Sequence, residues 1–230
     1  MTDSESALLV FAKKPVAGTV KTRLTQLITA AEAAEVYSAF LADAAVQYRD
    51  LDAQLRYYIA PGAAENGVDR HAIGMPIDSV IRQQNGDGLG ERLANAFRDA
   101  FESGVALAAV IGTDHPTLPT VFVERAFREL KSPRRVVIGP TVDGGFYLLG
   151  MNEFRPALFA GMTYSRPDVF QTTIARAGEE GVDVVVLPMW YDVDTPASLI
   201  RLWKDIRGGT AAPTATRAVL SRIAEAHGWG

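Results

Sequence analysis

The sequence predicts an α/β domain in which helices cover both faces of a mostly parallel β-sheet. Two observations lead to this fold class. Short aliphatic runs, such as residues 7–11 and 182–187, are apolar throughout, which is typical of strands that are buried on both faces. These runs alternate along the chain with longer stretches in which apolar residues recur at helical spacing. The sheet is therefore expected to lie between two layers of helices.

Each predicted strand is a short run of aliphatic or aromatic residues bounded by polar or turn-forming residues. Pro61 and Gly62, for example, end the second run, because proline and glycine interrupt regular structure. The predicted strands are residues 7–11, 55–59, 107–111, 135–138, 146–149 and 182–187.

The helices are predicted from their first residues as well as from their spacing. Thr29 and Glu32 have the spacing of a capping box, and Thr195 precedes a proline whose missing N–H costs nothing in the first turn. Further helices are expected after the glycine-rich loop 86–90 and at Pro119 and Pro167. We expect one domain over residues 1–207, followed by a linker and a short C-terminal helix over residues 208–230. The small and polar residues 208–216 form the expected linker, and the helix is expected after them.

Composition excludes several classes of function. The chain has 230 residues, a net charge of −4 and no cysteine, so disulfides, thiolate metal sites and cysteine nucleophiles are absent. The three histidines are scattered at His71, His115 and His227, which does not favour a zinc site. The charge balance gives no support to nucleic-acid binding, and the acidic N-terminus and short apolar runs give none to secretion or to a membrane span. We expect a cytoplasmic protein with neither nucleic acid nor membrane as a partner.

The loop after the first strand is a candidate phosphate-binding loop. It contains four cations, Lys13, Lys14, Lys21 and Arg23, together with the flexible Gly18. Phosphates require cations and approachable backbone N–H groups, and both are present here. The spacing is not that of a Walker A loop. The alternative is a basic loop exposed to solvent.

Acidic residues follow two other predicted strands. Asp114 follows the third strand, where it is either a ligand for a hard cation or a turn residue. Asp192 and Asp194 follow the last buried strand and share a face of the extended chain, although a helix cap beside a surface acid is the alternative. Together the three carboxylates would suit Mg²⁺ or Mn²⁺. His115 is interpreted as a loop residue.

Two glycine-containing loops complete the candidate site. Asp143, Gly144 and Gly145 lie between two predicted strands, and they indicate a tight turn, a substrate contact or both. Residues 83–90 superficially resemble a dinucleotide-binding loop. Their spacing is wrong for it and they follow no clear strand, so we reject that interpretation.

The ordered set of segments resembles the motifs of a bacterial family known as DUF2064, also described as selenodomain-associated glycosyltransferase-like proteins. The resemblance covers about residues 7–206. The motifs are Phe11-Ala12-Lys13 with Val20-Lys21-Thr22-Arg23-Leu24, Gly112-Thr113-Asp114-His115-Pro116, Asp143-Gly144-Gly145-Phe146-Tyr147 and Asp192-Val193-Asp194-Thr195-Pro196. That family is similar to the nucleotide-diphospho-sugar transferase superfamily, which has the GT-A fold and includes the phospholactate guanylyltransferases of the F420 pathway.

The resemblance implies a role for each segment. A nucleotide would lie over the first loop with Lys21 and Arg23 near its phosphates, and the loop containing Gln84 would face its base and ribose. The implied nucleotide-binding residues are Lys13, Gly18, Lys21, Arg23, Gln84 and Gly88. The implied metal ligands are Asp114, Asp192 and Asp194, the acceptor-binding residues are Asp143, Gly144, Gly145 and Ser165, and the catalytic residues are Lys21 and Asp114.

We therefore expect a transferase that uses an activated nucleotide and Mg²⁺ or Mn²⁺. Nucleotidyl transfer from a nucleoside triphosphate to a small phosphate- or carboxylate-bearing acceptor is favoured, because the first loop has more cations than a diphosphate requires. The alternatives are a glycosyltransferase that uses a nucleotide-diphospho-sugar and a nucleotide-binding protein without catalysis. Trp190 and Tyr191 would pack either in the core or at a homodimer interface.

Overall fold

Within the residues that the structure describes, seven strands form one sheet in the order β3-β2-β1-β4-β6-β5-β7. The structure is a computed structural model, and it describes residues 5–61, 79–209 and 213–229. The strands are β1 (Ser6–Ala12), β2 (Gln54–Ile59), β3 (Val80–Gln83), β4 (Leu107–Ile111), β5 (Arg135–Pro140), β6 (Phe146–Met151) and β7 (Asp183–Val186). Neighbouring strands are parallel except at β6, which is antiparallel to both β4 and β5. The predicted mixed, mostly parallel sheet is confirmed.

The apolar run in β1 is unbroken because the strand contributes to two cores. Leu8 and Val10 point to one face of the sheet and belong to one buried cluster. Ala7 and Leu9 point to the other face and belong to a second cluster. Side chains alternate along a strand, so a strand covered on both faces must be apolar at every position.

Helices cover both faces, as predicted. They are α1 (Ala30–Gln47), α2 (Leu89–Glu102), α3 (Thr120–Leu130), α4 (Val169–Glu179), α5 (Pro196–Arg207) and α6 (Thr214–His227), with 3₁₀ turns at Thr22–Gln26 and Pro156–Leu158. Buried residues of α1, α3, α5 and α6 belong to the cluster on the face of Leu8. Those of α2 and α4 belong to the cluster on the opposite face.

One sequence-based expectation about the sheet is wrong. The loop at residues 83–90 does follow a strand, because β3 pairs in parallel with β2 from Val80 to Gln83. This edge strand is short and half exposed, so it needs little of the aliphatic character that identified the central strands. Its presence brings Gln84 to the same end of the sheet as the other candidate loops.

Both predicted helix caps are present. The Thr29 side chain accepts a hydrogen bond from the Glu32 N–H, and the Glu32 carboxylate accepts one from the Thr29 N–H. At α5 the Thr195 side chain accepts from the Ser198 N–H in the same reciprocal arrangement. Such caps fix the first turn of a helix and the direction of the chain entering it.

Helix α6 packs on the first core and begins earlier than predicted. Leu220 and Ile223 are fully buried, and both carboxylate oxygens of Asp43 accept backbone N–H groups from its first turn. Thr214 already lies in the helix, whereas residues 210–212 of the predicted linker lie outside the described residues, as do Gly62 and His71. Among the described helices, none has both the length and the apolar character that crossing a membrane requires.

Candidate functional site

Loops from widely separated parts of the chain meet at the carboxyl end of the parallel strands. They enclose a cavity of about 540 Å³. Because β6 runs antiparallel, the turn between β5 and β6 lies at this same edge. Ligands of open α/β sheets collect at this position. The predicted site residues that line the cavity are Lys13, Lys21, Gln84, Asp114, Asp143, Gly145, Ser165, Asp192 and Asp194.

Four predicted residues do not line the cavity. Gly18 and Gly88 lie in the surrounding loops with open space where a Cβ would be. Gly144 packs against Pro167, and Arg23 contacts the site through Asp194, whose Oδ2 is 3.2 Å from Arg23 Nη1. The loops are therefore placed as predicted, but some of their individual residues are not in contact with the cavity.

Lys21 connects three of these loops. Its backbone is left-handed, with φ of 49°, at the start of the 3₁₀ turn. Its side chain is only 3% exposed, and Nζ lies 2.6 Å from Asp114 Oδ1 and 3.7 Å from Asp194 Oδ1. The same ammonium donates a hydrogen bond of 2.7 Å to the Val193 carbonyl. These contacts give Lys21 a set of partners that the sequence did not predict.

Aromatic residues of α1 form the floor beneath this ammonium. The ring centroids of Tyr37 and Phe40 lie 5.9 and 5.7 Å from Nζ, within the range of a cation–π interaction. The Tyr37 hydroxyl shares a 2.9 Å hydrogen bond with Thr113 and accepts another of 2.9 Å from the Lys13 N–H. Tyr37 thus ties the loop after β1 to the loop after β4.

The two sides of the acidic cluster differ in electrostatics. Burial alone would raise the pKa of Asp114, but the Lys21 ammonium holds the pKa of that carboxyl below its ordinary value. Burial raises the pKa of Asp192, and the nearby carboxylate of Asp143 raises it further. Asp192 forms no ion pair with any cation in the part of the chain that the structure describes. The cavity therefore contains one paired and one unpaired acidic region.

The Asp-Gly-Gly segment forms a turn and also contributes to the cavity. Asp143 Oδ1 accepts hydrogen bonds from Thr141 Oγ1 at 2.5 Å and from the Gly145 N–H at 3.1 Å. Gly144 has φ of 89°, and a Cβ there would lie 2.0 Å from the Pro167 carbonyl oxygen. Only glycine fits this position, which presses the turn against the segment before α4.

Gln84 and His115 are held by the backbone. Gln84 Nε2 donates to the Tyr58 carbonyl at 2.9 Å and lies 3.4 Å from that of Ala12, so its amino group joins β1 and β2. His115 Nδ1 lies 3.1 Å from the Tyr191 carbonyl oxygen, and burial lowers the pKa of His115. The imidazole is therefore neutral at pH 7 and donates from Nδ1, consistent with the interpretation of His115 as a loop residue.

Sequence reasoning missed several other residues that line the cavity. Arg92 lines the cavity from the first turn of α2, and its Nε donates to the Gly86 carbonyl at 2.9 Å. Tyr164 and Arg166 flank Ser165, whose backbone is left-handed with φ of 63°. The glycine-rich loop before α2 is the signal that would have pointed to Arg92. No comparable pattern marks Tyr164 or Arg166.

Trp190 and Tyr191 pack within the fold. Tyr191 is buried, and its ring lies against Trp190 with a centroid distance of 6.0 Å. Phe122 meets Trp190 edge to face at 5.8 Å. The arrangement matches the core-packing alternative.

The three aspartates do not form a preassembled metal site. Within the described residues, no group of three acidic or histidine side chains comes close enough to hold an ion. The Lys21 ammonium lies between Asp114 and Asp194. Any metal bound here would therefore need ligands from a substrate in addition to the protein carboxylates.

The sheet order, the helical layers and the loops at this edge define the fold of the nucleotide-diphospho-sugar transferases. A structure from Desulfovibrio desulfuricans G20, provisionally described as a nucleotide-diphospho-sugar transferase, is 33% identical and has a TM-score of 0.90, covering 97% of this chain and 96% of that one. A family model described as "Uncharacterized protein conserved in bacteria (DUF2064)" matches residues 41–166. The chain belongs to the DUF2064 family.

More distant structures share the fold alone. A cytidylyltransferase from Leptospira borgpetersenii is 10% identical with a TM-score of 0.57, covering 96% of this chain and 94% of that one. A 4-diphosphocytidyl-2C-methyl-D-erythritol synthase from Anaerococcus prevotii is 10% identical with a TM-score of 0.55, covering 95% and 97%. No match was found among proteins of curated function.

Proposed function

We propose that this protein is a nucleotide-using transferase that requires a divalent metal and transfers a nucleotidyl group from a nucleoside triphosphate to a small phosphate- or carboxylate-bearing acceptor. The observation that carries the proposal is the cavity itself. Within a nucleotide-diphospho-sugar transferase fold, it combines the Lys13 loop, the acidic segments at Asp114 and Asp192, and the Asp143 turn. Function belongs to the site rather than to the fold, so the proposal rests on this combination.

The charges of the cavity suit a metal–nucleotide complex. Asp192 is half-buried beside other carboxylates and forms no ion pair with a cation of the described residues, and Asp114 is paired with Lys21 through Oδ1. Mg²⁺ and Mn²⁺ are commonly held by one or two carboxylates together with substrate phosphates, which fits a site lacking three preassembled ligands. Asp114, Asp192 and Asp194 would hold the ion. When bound, it would offset the negative charge that develops on the phosphate oxygens.

The protein's own groups would orient the reactants rather than form a covalent intermediate. The acceptor oxygen attacks the α-phosphorus, a new P–O bond forms, and the bond to pyrophosphate breaks as pyrophosphate leaves. An anionic acceptor needs no general base. This agrees with a cavity whose histidine, His115, is neutral and bonded to a backbone carbonyl. Arg92 and Arg166 also line the cavity, and Arg166, which follows Ser165, supplies positive charge on the side proposed for the acceptor.

A second candidate is glycosyl transfer from a nucleotide-diphospho-sugar. It is favoured by the description of the Desulfovibrio desulfuricans relative, which is 33% identical over nearly the whole chain. The same acids would hold the metal beside a diphosphate. The attacked atom would be the anomeric carbon instead of the α-phosphorus.

The first experiment is a thermal-shift panel of nucleoside triphosphates and sugar nucleotides, each with EDTA, Mg²⁺ or Mn²⁺. A ligand at 100 times its Kd adds about 2.7 kcal/mol to the free energy of unfolding, which raises the melting temperature measurably. A metal-dependent rise with one triphosphate supports nucleotidyl transfer and identifies its base. A rise only with a sugar nucleotide supports the glycosyltransferase, and the absence of any shift contradicts both.

The same thermal-shift panel, repeated with the Asp114→Asn variant, tests whether Asp114 belongs to the proposed metal site. The variant should lose the metal-dependent part of the shift. Asp52→Asn is the matched control, because Asp52 is exposed on the loop before β2, at the opposite end of that strand. Equal shifts in Asp114→Asn and in the wild type would remove Asp114 from the metal site.

A further inference from the structure

The ammonium of Lys21 forms its two short contacts inside the protein. Nζ lies 2.6 Å from Asp114 Oδ1 and donates a 2.7 Å hydrogen bond to the Val193 carbonyl, and Asp194 Oδ1 lies 3.7 Å away, at ion-pair distance. An ammonium has three donors and no acceptor, so at most one donor remains for a phosphate while these contacts persist.

The surroundings of Lys21 hold it in this position. Its side chain is buried over the rings of Tyr37 and Phe40, and its backbone is fixed in the left-handed region. The loops that it joins also meet directly, because the Val193 N–H donates to the Asp114 carbonyl at 2.9 Å. Moving the ammonium to a phosphate would leave Asp114 without its counter-charge and vacate a buried, satisfied position.

Two other cations of the same loop are free to reach a phosphate. Lys13 lines the cavity with an exposed side chain that forms no ion pair within the described residues. Arg23 lies outside the cavity lining and is 65% exposed, and among the described acids its ion pair is with Asp194. Both can rearrange at little cost, since exposed cations lose little when they change partners.

We infer that Lys21 is a positioning residue whose ammonium acts as a fixed counter-cation for Asp114 and Asp194, and that Lys13 and Arg23 make the phosphate contacts. This inference rests on the proposed function, because it assigns roles within the proposed nucleotide site. The physical reason is that two carboxylates near one point repel each other, and a cation between them fixes both. The sequence alone had suggested the opposite role for Lys21.

The test compares Lys21→Met with Lys13→Met, two substitutions that remove the same ammonium from neighbouring positions. Calorimetric titrations use the triphosphate that gives the largest shift in the panel and its monophosphate, each in EDTA and in Mn²⁺. Lys13→Met should lower the ratio of triphosphate to monophosphate affinity about fivefold or more in EDTA. Lys21→Met should leave that ratio within about twofold, yet reduce the enhancement of affinity by Mn²⁺ about tenfold.

Other outcomes overturn the inference. A fall of the triphosphate ratio in Lys21→Met, as in Lys13→Met, would make Lys21 a phosphate ligand. Equal losses for both nucleotides with the Mn²⁺ enhancement intact would make its role merely structural. If the wild-type protein binds no nucleotide under any condition, the proposed function fails instead, whatever Lys21 does.

A measurement on the wild-type protein covers the case in which Lys21→Met does not fold. Burial should slow proton exchange enough for the Lys21 ammonium to give an observable ¹H–¹⁵N signal with ¹⁵N-lysine labelling, and Lys21→Arg should assign it. Addition of the triphosphate in EDTA should leave this signal in place. Its loss or a large change in its shift on adding the triphosphate would contradict the inference.

Discussion

Asp192 is a cavity carboxylate without a paired cation. The charges of Asp143 and Asp194 act on its carboxyl, and it forms no ion pair with a cation in the described parts of the chain. Burial raises its pKa, and Asp143 adds to the effect. Sites arranged for ligand binding often contain such unfavourable groups at the expense of stability.

The substitution Asp192→Asn should therefore stabilise the protein in EDTA. The folded-state pKa is above the unfolded value, so the wild type binds the proton more readily when folded. The contribution of the Asp192 carboxyl to the free energy of unfolding is fully present below the pKa of the unfolded state, and it is lost as the pH rises through the pKa of the folded state. The variant should thus melt a few degrees higher than the wild type at pH 7, and this gap should close on acidification toward pH 3.

Thermal unfolding from pH 3 to 7 measures the difference in melting temperature between the variant and the wild type. A titration with Mn²⁺ measures how much the metal stabilises each protein. Asp192→Asn should lose Mn²⁺-dependent stabilisation while it gains intrinsic stability. The control is Asp52→Asn, at an exposed position away from the cavity, which should change neither quantity. A variant that is less stable than the wild type at pH 7 would show that Asp192 is not an unfavourable charge.

Some side chains of the site could be placed from the sequence, and others could not. Asp114 and Asp192 were predicted to reach one cavity because each lies in a polar segment that follows a strand, and both line it. The burial of Lys21 could not be predicted, because its hydrogen bond to Val193 joins residues 172 positions apart. A basic loop gives no local signal of which acids it will meet after folding.

At the scale of elements, the cap of α5 holds the acidic segment in place. Ser198 Oγ accepts the N–H groups of Asp194 at 3.0 Å and of Thr195 at 2.9 Å. Thr195 in turn accepts the Ser198 N–H at 3.2 Å. The first turn of the helix and the residues proposed to bind metal are therefore one hydrogen-bonded unit.

Thr195→Ala and Thr29→Ala form a matched pair, because both remove the threonine of a capping box. Each should lower the free energy of unfolding by about 1 kcal/mol, measured by chemical denaturation. Only Thr195→Ala should also weaken Mn²⁺-dependent nucleotide binding, since Thr29 caps α1 outside the cavity lining. Equal binding by the two variants would show that the α5 cap does not position Asp194.

Some helices and strands were predicted correctly from the sequence and others were not, and the differences have physical causes. The central strands and the caps at Thr29 and Thr195 carry strong local signals, and they were found. The edge strand β3 was missed, because a half-exposed strand needs few aliphatic residues. The antiparallel direction of β6 is set by its short connection to β5 through the Asp143 turn, and only the mixed character of the sheet was foreseen.

At the scale of the whole molecule, α6 packs into the same hydrophobic core as α1, on one face of the sheet. It buries Leu220 and Ile223 there, and Asp43 of α1 satisfies two N–H groups of its first turn. The division at residue 207 that the sequence suggests remains a prediction about the chain. The packing implies that both parts unfold together.

Asp43→Ala tests this coupling. Loss of the cap should lower the free energy of unfolding by about 1–2 kcal/mol while one cooperative transition remains. Asp50→Ala, at an exposed position just after α1, is the control and should have little effect. Two separate transitions in scanning calorimetry would instead show that α6 melts independently of the rest.

The contact between Lys21 and Val193 spans 172 residues, and this has a consequence for how the protein is made. During synthesis, the loop after β1 leaves the ribosome long before the segment that completes its surroundings exists. A nascent chain or a fragment that ends before Val193 thus lacks two of the three partners of the buried ammonium, Val193 and Asp194. Nucleotide binding would accordingly be gained all at once, near the end of translation, and it would serve as a readout that the full chain has folded.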